Sequence, residues 1–202
     1  MKSIMFAFLV WICLYSASSA IAEDSPLALA ENTSQKMLTA LRDHHAELMQ
    51  DSNKIYDLVQ EILLPHFDFN VMSQWVMGKY WRQATPEQRD RFINAFRTLL
   101  VNTYAKALLE YTNERIEFLP MAAVSGDDVT VRSEVHVKNA QPIPIHYSMH
   151  RKDGAWKVYD VTIEGISLIT NYRGTIGNLI RNEGMEGMLE KLSAGSLKGN
   201  KV

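Results

Sequence analysis

The segment Trp156–Arg173, WKVYDVTIEGISLITNYR, restricts the folds open to this chain more than any other. It begins as a strand with apolar groups on both faces: Trp156 and Val158 on one, Tyr159, Val161 and Ile163 toward the other. A strand with one wet face alternates apolar and polar residues. Read this way, the strand is covered on both sides, and whatever covers it decides the function. Gly165 then breaks the pattern, and Ile166, Leu168, Ile169 and Tyr172 open a new apolar run.

The strands before it are marked by a change of period after Glu114. Arg115–Leu119 reads as a first strand. In a second, Val129, Val131, Val135 and Val137 alternate with Thr130, Arg132, Glu134 and His136. Ile143, Ile145, Tyr147 and Met149 share one face of a third. Asp153-Gly154 is a strong hairpin signal joining it to a fourth, Ala155–Ile163. Upstream of Glu114 the period is helical. Ser25-Pro26 starts a helix running to about Gln50. Asp51-Ser52 restarts one that Pro65 ends, and a short piece over Asn70–Met77 is closed by Gly78. Thr85-Pro86-Glu87-Gln88 carries a cap, a first-turn proline and a capping-box glutamine. The helix it opens runs to about Tyr111. Ile166–Arg181 and Met185–Leu192 are closing helices separated by Gly184.

Helices, a meander, then helices make an α+β chain. The expected architecture is a curved antiparallel sheet of about four to five strands with helices packed on it. Residues 1–22 read as a signal peptide: Lys2, the apolar run Ile4–Tyr15, then Ala20-Ile21-Ala22 before Glu23. Residues 23–192 form one domain, helical over 26–112, sheet over 115–163, with closing helices over 166–192; residues 193–202 are a disordered tail. Cys13 is the only cysteine, so the exported part has neither disulfides nor thiol chemistry. A formal net charge of −2 argues against nucleic acid and anionic lipid surfaces as partners.

Three segments together resemble one family. Gly78–Leu108, GKYWRQATPEQRDRFINAFRTLLVNTYAKAL, looks like the helical signature of the MlaC, or toluene-tolerance (Ttg2-type), phospholipid carriers of the Gram-negative periplasm. Val131–Val135 with Ile143–Met149 resembles that family's central strands, and Trp156–Arg173 its most characteristic motif. The likeness spans roughly Ala28 to Leu192. It implies a nuclear-transport-factor-2-like cone with an added helical lobe. It also implies a monomeric periplasmic shuttle that moves glycerophospholipids between outer and inner membranes and maintains outer-membrane lipid asymmetry. Its partners would be an inner-membrane ABC transporter complex and an outer-membrane lipoprotein–porin complex. The ligand would be phospholipid, with no other cofactor, no metal and no enzymatic activity. Ser148 stands where the family often has a basic residue, and Gly174-Thr175-Ile176 replaces a polar–aromatic stretch.

On such a cone, Val131, Val135, Val137, Ile145, Tyr147 and Met149 would line an apolar cavity. Phe96, Leu99, Leu100 and Tyr104 would roof it, with Val76, Ile166, Leu168, Tyr172 and Ile176 nearer the mouth. On composition alone each of these residues is equally at home in a filled core. Met72, Met77, Met149, Met185 and Met188 suit either adaptable lining or gap-filling. His136, His146 and His150 lie on polar strand faces and read as exposed histidines before they read as metal ligands. Asp160 and Glu164 are expected in ion pairs with Arg173 or Arg82. The competing reading is an isomerase-type enzyme that uses Asp160 beside the pocket as a general base. Ser167 lacks the context of a nucleophile elbow.

Overall fold

The computed structural model describes residues 25–197 apart from 111–113, 123 and 139. The expected signal peptide, the helix end at Tyr111 and the tail beyond 197 lie outside the described residues. The caps at Ser25 and Thr85, the stop at Gly78 and the Asp153-Gly154 turn are where the sequence places them, but the first helix does not run unbroken to Gln50. Ser25 caps α1 (Pro26–Asp43), its hydroxyl accepting from the Ala28 N–H. A break at His44 separates α1 from α2 (His45–Gln50), and α3 (Lys54–Leu58) follows. The next turn, Val59–Leu63, is wound as a π-helix, and Pro65 sits inside the 3₁₀ turn Leu64–His66. The Asp68 carboxylate caps α4 (Phe69–Met77), which stops at Gly78. Thr85 and Gln88 form both halves of the capping box at the start of α5 (Pro86–Tyr104). A 3₁₀ segment, Ala105–Glu110, continues the rod.

Five antiparallel strands follow in sequence order: β1 (Arg115–Phe118), β2 (Asp128–His136), β3 (Ile143–Lys152), β4 (Ala155–Ile163) and β5 (Ile166–Ser167). The β3–β4 turn has Asp153 at φ 50° and Gly154 at φ 82°, as a two-residue hairpin loop demands. The last helix, α6 (Leu168–Ser193), is broken at Gly184, whose φ of 74° and ψ of 178° only glycine adopts readily. Beyond Ser193 the chain turns, and Leu197 packs back on the helical core instead of joining a free tail.

The doubly apolar look of β4 has a specific cause. Ser148 of β3 pairs with Asp160, but its neighbour Met149 pairs with Val158, which leaves Tyr159 as an extra residue in a β-bulge. The bulge resets the in–out alternation. Val161 therefore points to the same side as Trp156 and Val158, and all three are buried in one cluster with Met149, Val131 and Leu168. Tyr159 turns the other way, against Trp75 at 5.8 Å and His150 at 5.4 Å between ring centroids. The strand is covered on both sides, but Val161 and Ile163 do not share a face with Tyr159.

Among the described residues, three apolar clusters form the core. One joins α4, α5 and α6 through Phe92, Phe96, Met72, Val76, Tyr172 and Ile176. A second joins α1 to α3 and the turn after it, through Met37, Leu41, Leu48, Ile55 and Val59. The third is the inner face of the sheet. Where the three meet they do not close.

Candidate functional site

The gap is a cavity of about 420 Å³ between the inner face of the sheet and the helices, in the range of small-molecule sites, about 300–1,000 Å³. Its floor is β2, β3 and β4: Val135, Ile143, Ile145, Tyr147, Met149, Val158, Val161 and Ile163. On the other side α1 contributes Leu29, Ala30, Met37, Leu38 and Leu41, and α5 contributes Leu100, Val101 and Tyr104. Phe67, Phe69 and Met72 also line it, as do Ala107, Leu108 and Ile116, half-buried Glu114 and exposed Glu164.

Three of the polar groups facing this volume, Tyr147, Tyr104 and His66, are held toward their neutral forms. Tyr147 is half-buried, with its hydroxyl near Ser34 of α1 and Ser133 of β2. Burial pushes that hydroxyl above the ordinary tyrosine value, and the two serines offset this only in part. Tyr104 is pushed up by burial and by the neighbouring Tyr172. Burial pushes the His66 imidazole below its ordinary value, and the charges of Lys157 and Lys36 add to the effect. A volume lined mainly by apolar side chains offers chiefly dispersion contacts, which suits hydrocarbon.

Of the residues expected to line a cavity, Leu100, Tyr104, Val135, Ile145, Tyr147, Met149 and Leu168 do so. Val76, Phe96, Leu99, Tyr172 and Ile176 do not: they are buried in the α4–α5–α6 core, where Phe96 meets Tyr172 edge-on at 5.4 Å. Val131 is fully buried within the sheet cluster, Val137 lies past the end of β2, and Ile166 is 49% exposed. The α1 wall was missed. Ala30, Met37 and Leu41 recur at helical spacing, but periodicity does not say what that face looks onto.

Asp160 is not in the cavity and makes no ion pair with Arg173 or Arg82. One of its oxygens accepts from Ser167 Oγ at 2.6 Å, the other from the Ile169 N–H at 3.1 Å, so it anchors the first turn of α6. Arg173 donates instead to the Trp75 carbonyl at 2.7 Å. His150 is not an exposed strand histidine: its Nε2 is 3.1 Å from the buried Asp68 carboxylate, which also takes Lys152 Nζ at 2.8 Å. His136 is 3.1 Å from Glu117. Among the described residues, no group of three or more His, Cys, Asp or Glu is placed to hold a metal, and no helix is long and apolar enough to cross a membrane.

Known proteins resemble this chain in sequence and shape. A family model described as MlaC protein matches residues 31–194. The intermembrane phospholipid transport system binding protein MlaC of Haemophilus influenzae is 27% identical over 194 residues, 94% of this chain and 87% of its own. The toluene tolerance protein ttg2D of Pseudomonas putida is 31% identical over 165 residues, 81% and 77% of the two chains. The crystal structure of a phospholipid-binding protein from Ralstonia solanacearum, in complex with a phospholipid, superposes with a TM-score of 0.77 at 30% identity. It covers 84% of this chain and 95% of its own.

Proposed function

We propose that this chain, which belongs to the MlaC protein family, is a phospholipid carrier that encloses acyl chains in the cavity between α1, α5 and the sheet. The observation that carries this reading is the cavity itself: about 420 Å³ lined mainly by apolar side chains, where protein interiors are ordinarily filled. Each methylene moved from water into such a site contributes about 0.8 kcal/mol. A diacyl lipid with on the order of thirty methylenes therefore gains more than 20 kcal/mol relative to water. Relative to a bilayer the gain is near zero, because the tails are dry there too. The carrier's task is to remove the aqueous step between two membranes, and this requires neither a catalytic residue nor a cofactor.

In this reading residues 1–22 direct export to the periplasm. The carrier then exchanges lipid with an inner-membrane ABC transporter complex and an outer-membrane lipoprotein–porin complex. An isomerase-type enzyme is less well supported, since Asp160 is spent on anchoring α6. Gentle purification, solvent extraction and mass spectrometry test the carrier reading. Phospholipid is expected in near-stoichiometric amount. Protein that neither carries nor takes up phospholipid would sink the idea.

A further inference from the structure

Charge is spread unevenly over this chain. Its 23 acidic and 21 basic side chains nearly balance, yet Phe69–Gln83 and Leu168–Asn182 carry Lys79, Arg82, Arg173 and Arg181 and no acid. These segments are α4, the 3₁₀ turn Gly78–Arg82 and the first part of α6, which share one apolar core. Arg173 of α6 donates to the Trp75 carbonyl of α4 at 2.7 Å. The Tyr80 ring comes to 3.9 Å from the place a β-carbon on Gly177 would take, and Lys79 Nζ stands 5.1 Å from the centre of that ring. Arg181, bonded to Asn178, lies one turn beyond Gly177 on α6. Trp75, Lys79, Arg173 and Arg181 therefore belong to one face. All four cations are exposed. Among the described residues none of them holds a carboxylate, whereas Lys54, Arg91, Arg115 and Lys191 each do.

Trp75 is 50% exposed on a helix whose other large side chains are mostly buried. Its ring rests on Tyr159, and Arg173 holds its carbonyl, so the indole is fixed in place. A fixed aromatic bordered by arginine is the composition of a protein–protein hot spot. A bilayer surface would instead favour several protruding apolar groups. The other exposed large apolar side chains among the described residues, Met49, Val124 and Ile166, lie outside α4, the turn after it and α6. Resting on the carrier reading, we propose that this face docks an acidic surface of a partner protein. Partner carboxylates meet Lys79, Arg173 and Arg181, and the partner covers Trp75. Opposite charge speeds the encounter, while exposed pairs add little to retention, which suits a carrier that must bind, deliver and leave.

The test takes as probes the inner-membrane and outer-membrane complexes of the proposed function, purified in detergent from the same organism. Their affinity for the lipid-loaded protein is measured by surface plasmon resonance at 50 and 500 mM NaCl. The unaltered chain is compared with Lys79→Glu/Arg181→Glu and with Trp75→Ala. Lys79 and Arg181 make their contacts within their own segments, so the double variant is expected to keep its melting temperature and its lipid. At low salt its affinity for at least one complex should fall about tenfold, and that of Trp75→Ala about thirtyfold, the scale of one hot-spot residue. High salt should narrow the first difference and leave the second. Equal affinity of all three proteins for both complexes overturns the proposal. So does an identical salt response in the unaltered protein and the double variant. The same proteins are also passed over protein-free phosphatidylglycerol vesicles. Vesicle binding that disappears in the variants, with binding to the complexes intact, assigns the face to a lipid surface and rejects the protein partner. An unaltered protein that carries phospholipid and binds neither complex rejects this docking role and leaves the carrier reading standing. One that carries no phospholipid fails at the carrier reading itself.

Discussion

Asp68 shows how much one residue can be asked to do. Its carboxylate caps α4 through the Val71 N–H at 3.2 Å and holds Lys152 and His150 of β3, fastening the helical core to the sheet. Burial alone would raise its pKa. The Lys152 and Val71 bonds and the two nearby positive charges outweigh burial and hold it below the ordinary aspartate value. The stability it supplies is therefore complete above its unfolded value of about 3.9 and is lost as pH falls from there through the folded value. Asn keeps the cap but not the charge, so Asp68→Asn should cost about 1–2 kcal/mol at neutral pH, modest because Lys152 is 41% exposed. Urea midpoints measured from pH 7 to pH 2.5 should fall less steeply in the variant below pH 4; parallel curves would rule Asp68 out as the acid-sensitive group. Leu100 offers a contrasting case, 8% exposed and facing the cavity. Leu100→Glu sets an unpaired carboxylate against hydrocarbon, a change costing several kcal/mol by ordinary transfer scales. Phospholipid transfer between donor and acceptor vesicles should cease in a folded Leu100→Glu protein, and transfer at the normal rate would mean that tails lie elsewhere.

At the scale of elements, most boundaries were legible because they are written in local chemistry. The Thr85–Gln88 capping box, the Asp153-Gly154 turn and the stop at Gly78 each satisfy backbone groups or φ requirements within a few residues, so sequence suffices to place them. The bulge at Tyr159 was not legible. Strict alternation assigned Tyr159, Val161 and Ile163 to one face, and only the pairing to Ser148 and Met149 reveals the extra residue. The π-turn Val59–Leu63 left no mark either, since its apolar spacing is that of an ordinary helix. Gly184 was read correctly as a break between two helical stretches, and its conformation gives that reading a measurable cost. A β-carbon there would meet nothing within 4 Å, so Gly184→Ala is opposed by backbone strain alone. The variant should lose about 1–3 kcal/mol in a denaturant titration. A stability unchanged from the parent would mean that the break is relaxed at no cost.

For the whole molecule, the decisive feature is an interior left unfilled where three clusters meet. Sequence could not separate Phe96 from Leu100 and Tyr104, which follow one another at four-residue spacing on α5. The helix buries the first wholly within the α4–α6 core, whereas Leu100 and Tyr104, which also pack on that core, face the cavity as well. Which buried residue meets protein and which meets a cavity depends on where a helix crosses its neighbours, and periodicity holds no record of that. The same limit hid α1, whose buried face looks across to Tyr147 and Met149. The central claim is that this space receives acyl chains, and its most direct test is crystallography of the protein loaded with a phospholipid brominated in both tails. Anomalous bromine peaks are expected inside the cavity, between Met37 and Leu41 of α1, Leu100 of α5, and Tyr147 of β3. Peaks confined to the outside of the molecule, or a cavity closed by its own side chains in a lipid-loaded crystal, would contradict the account.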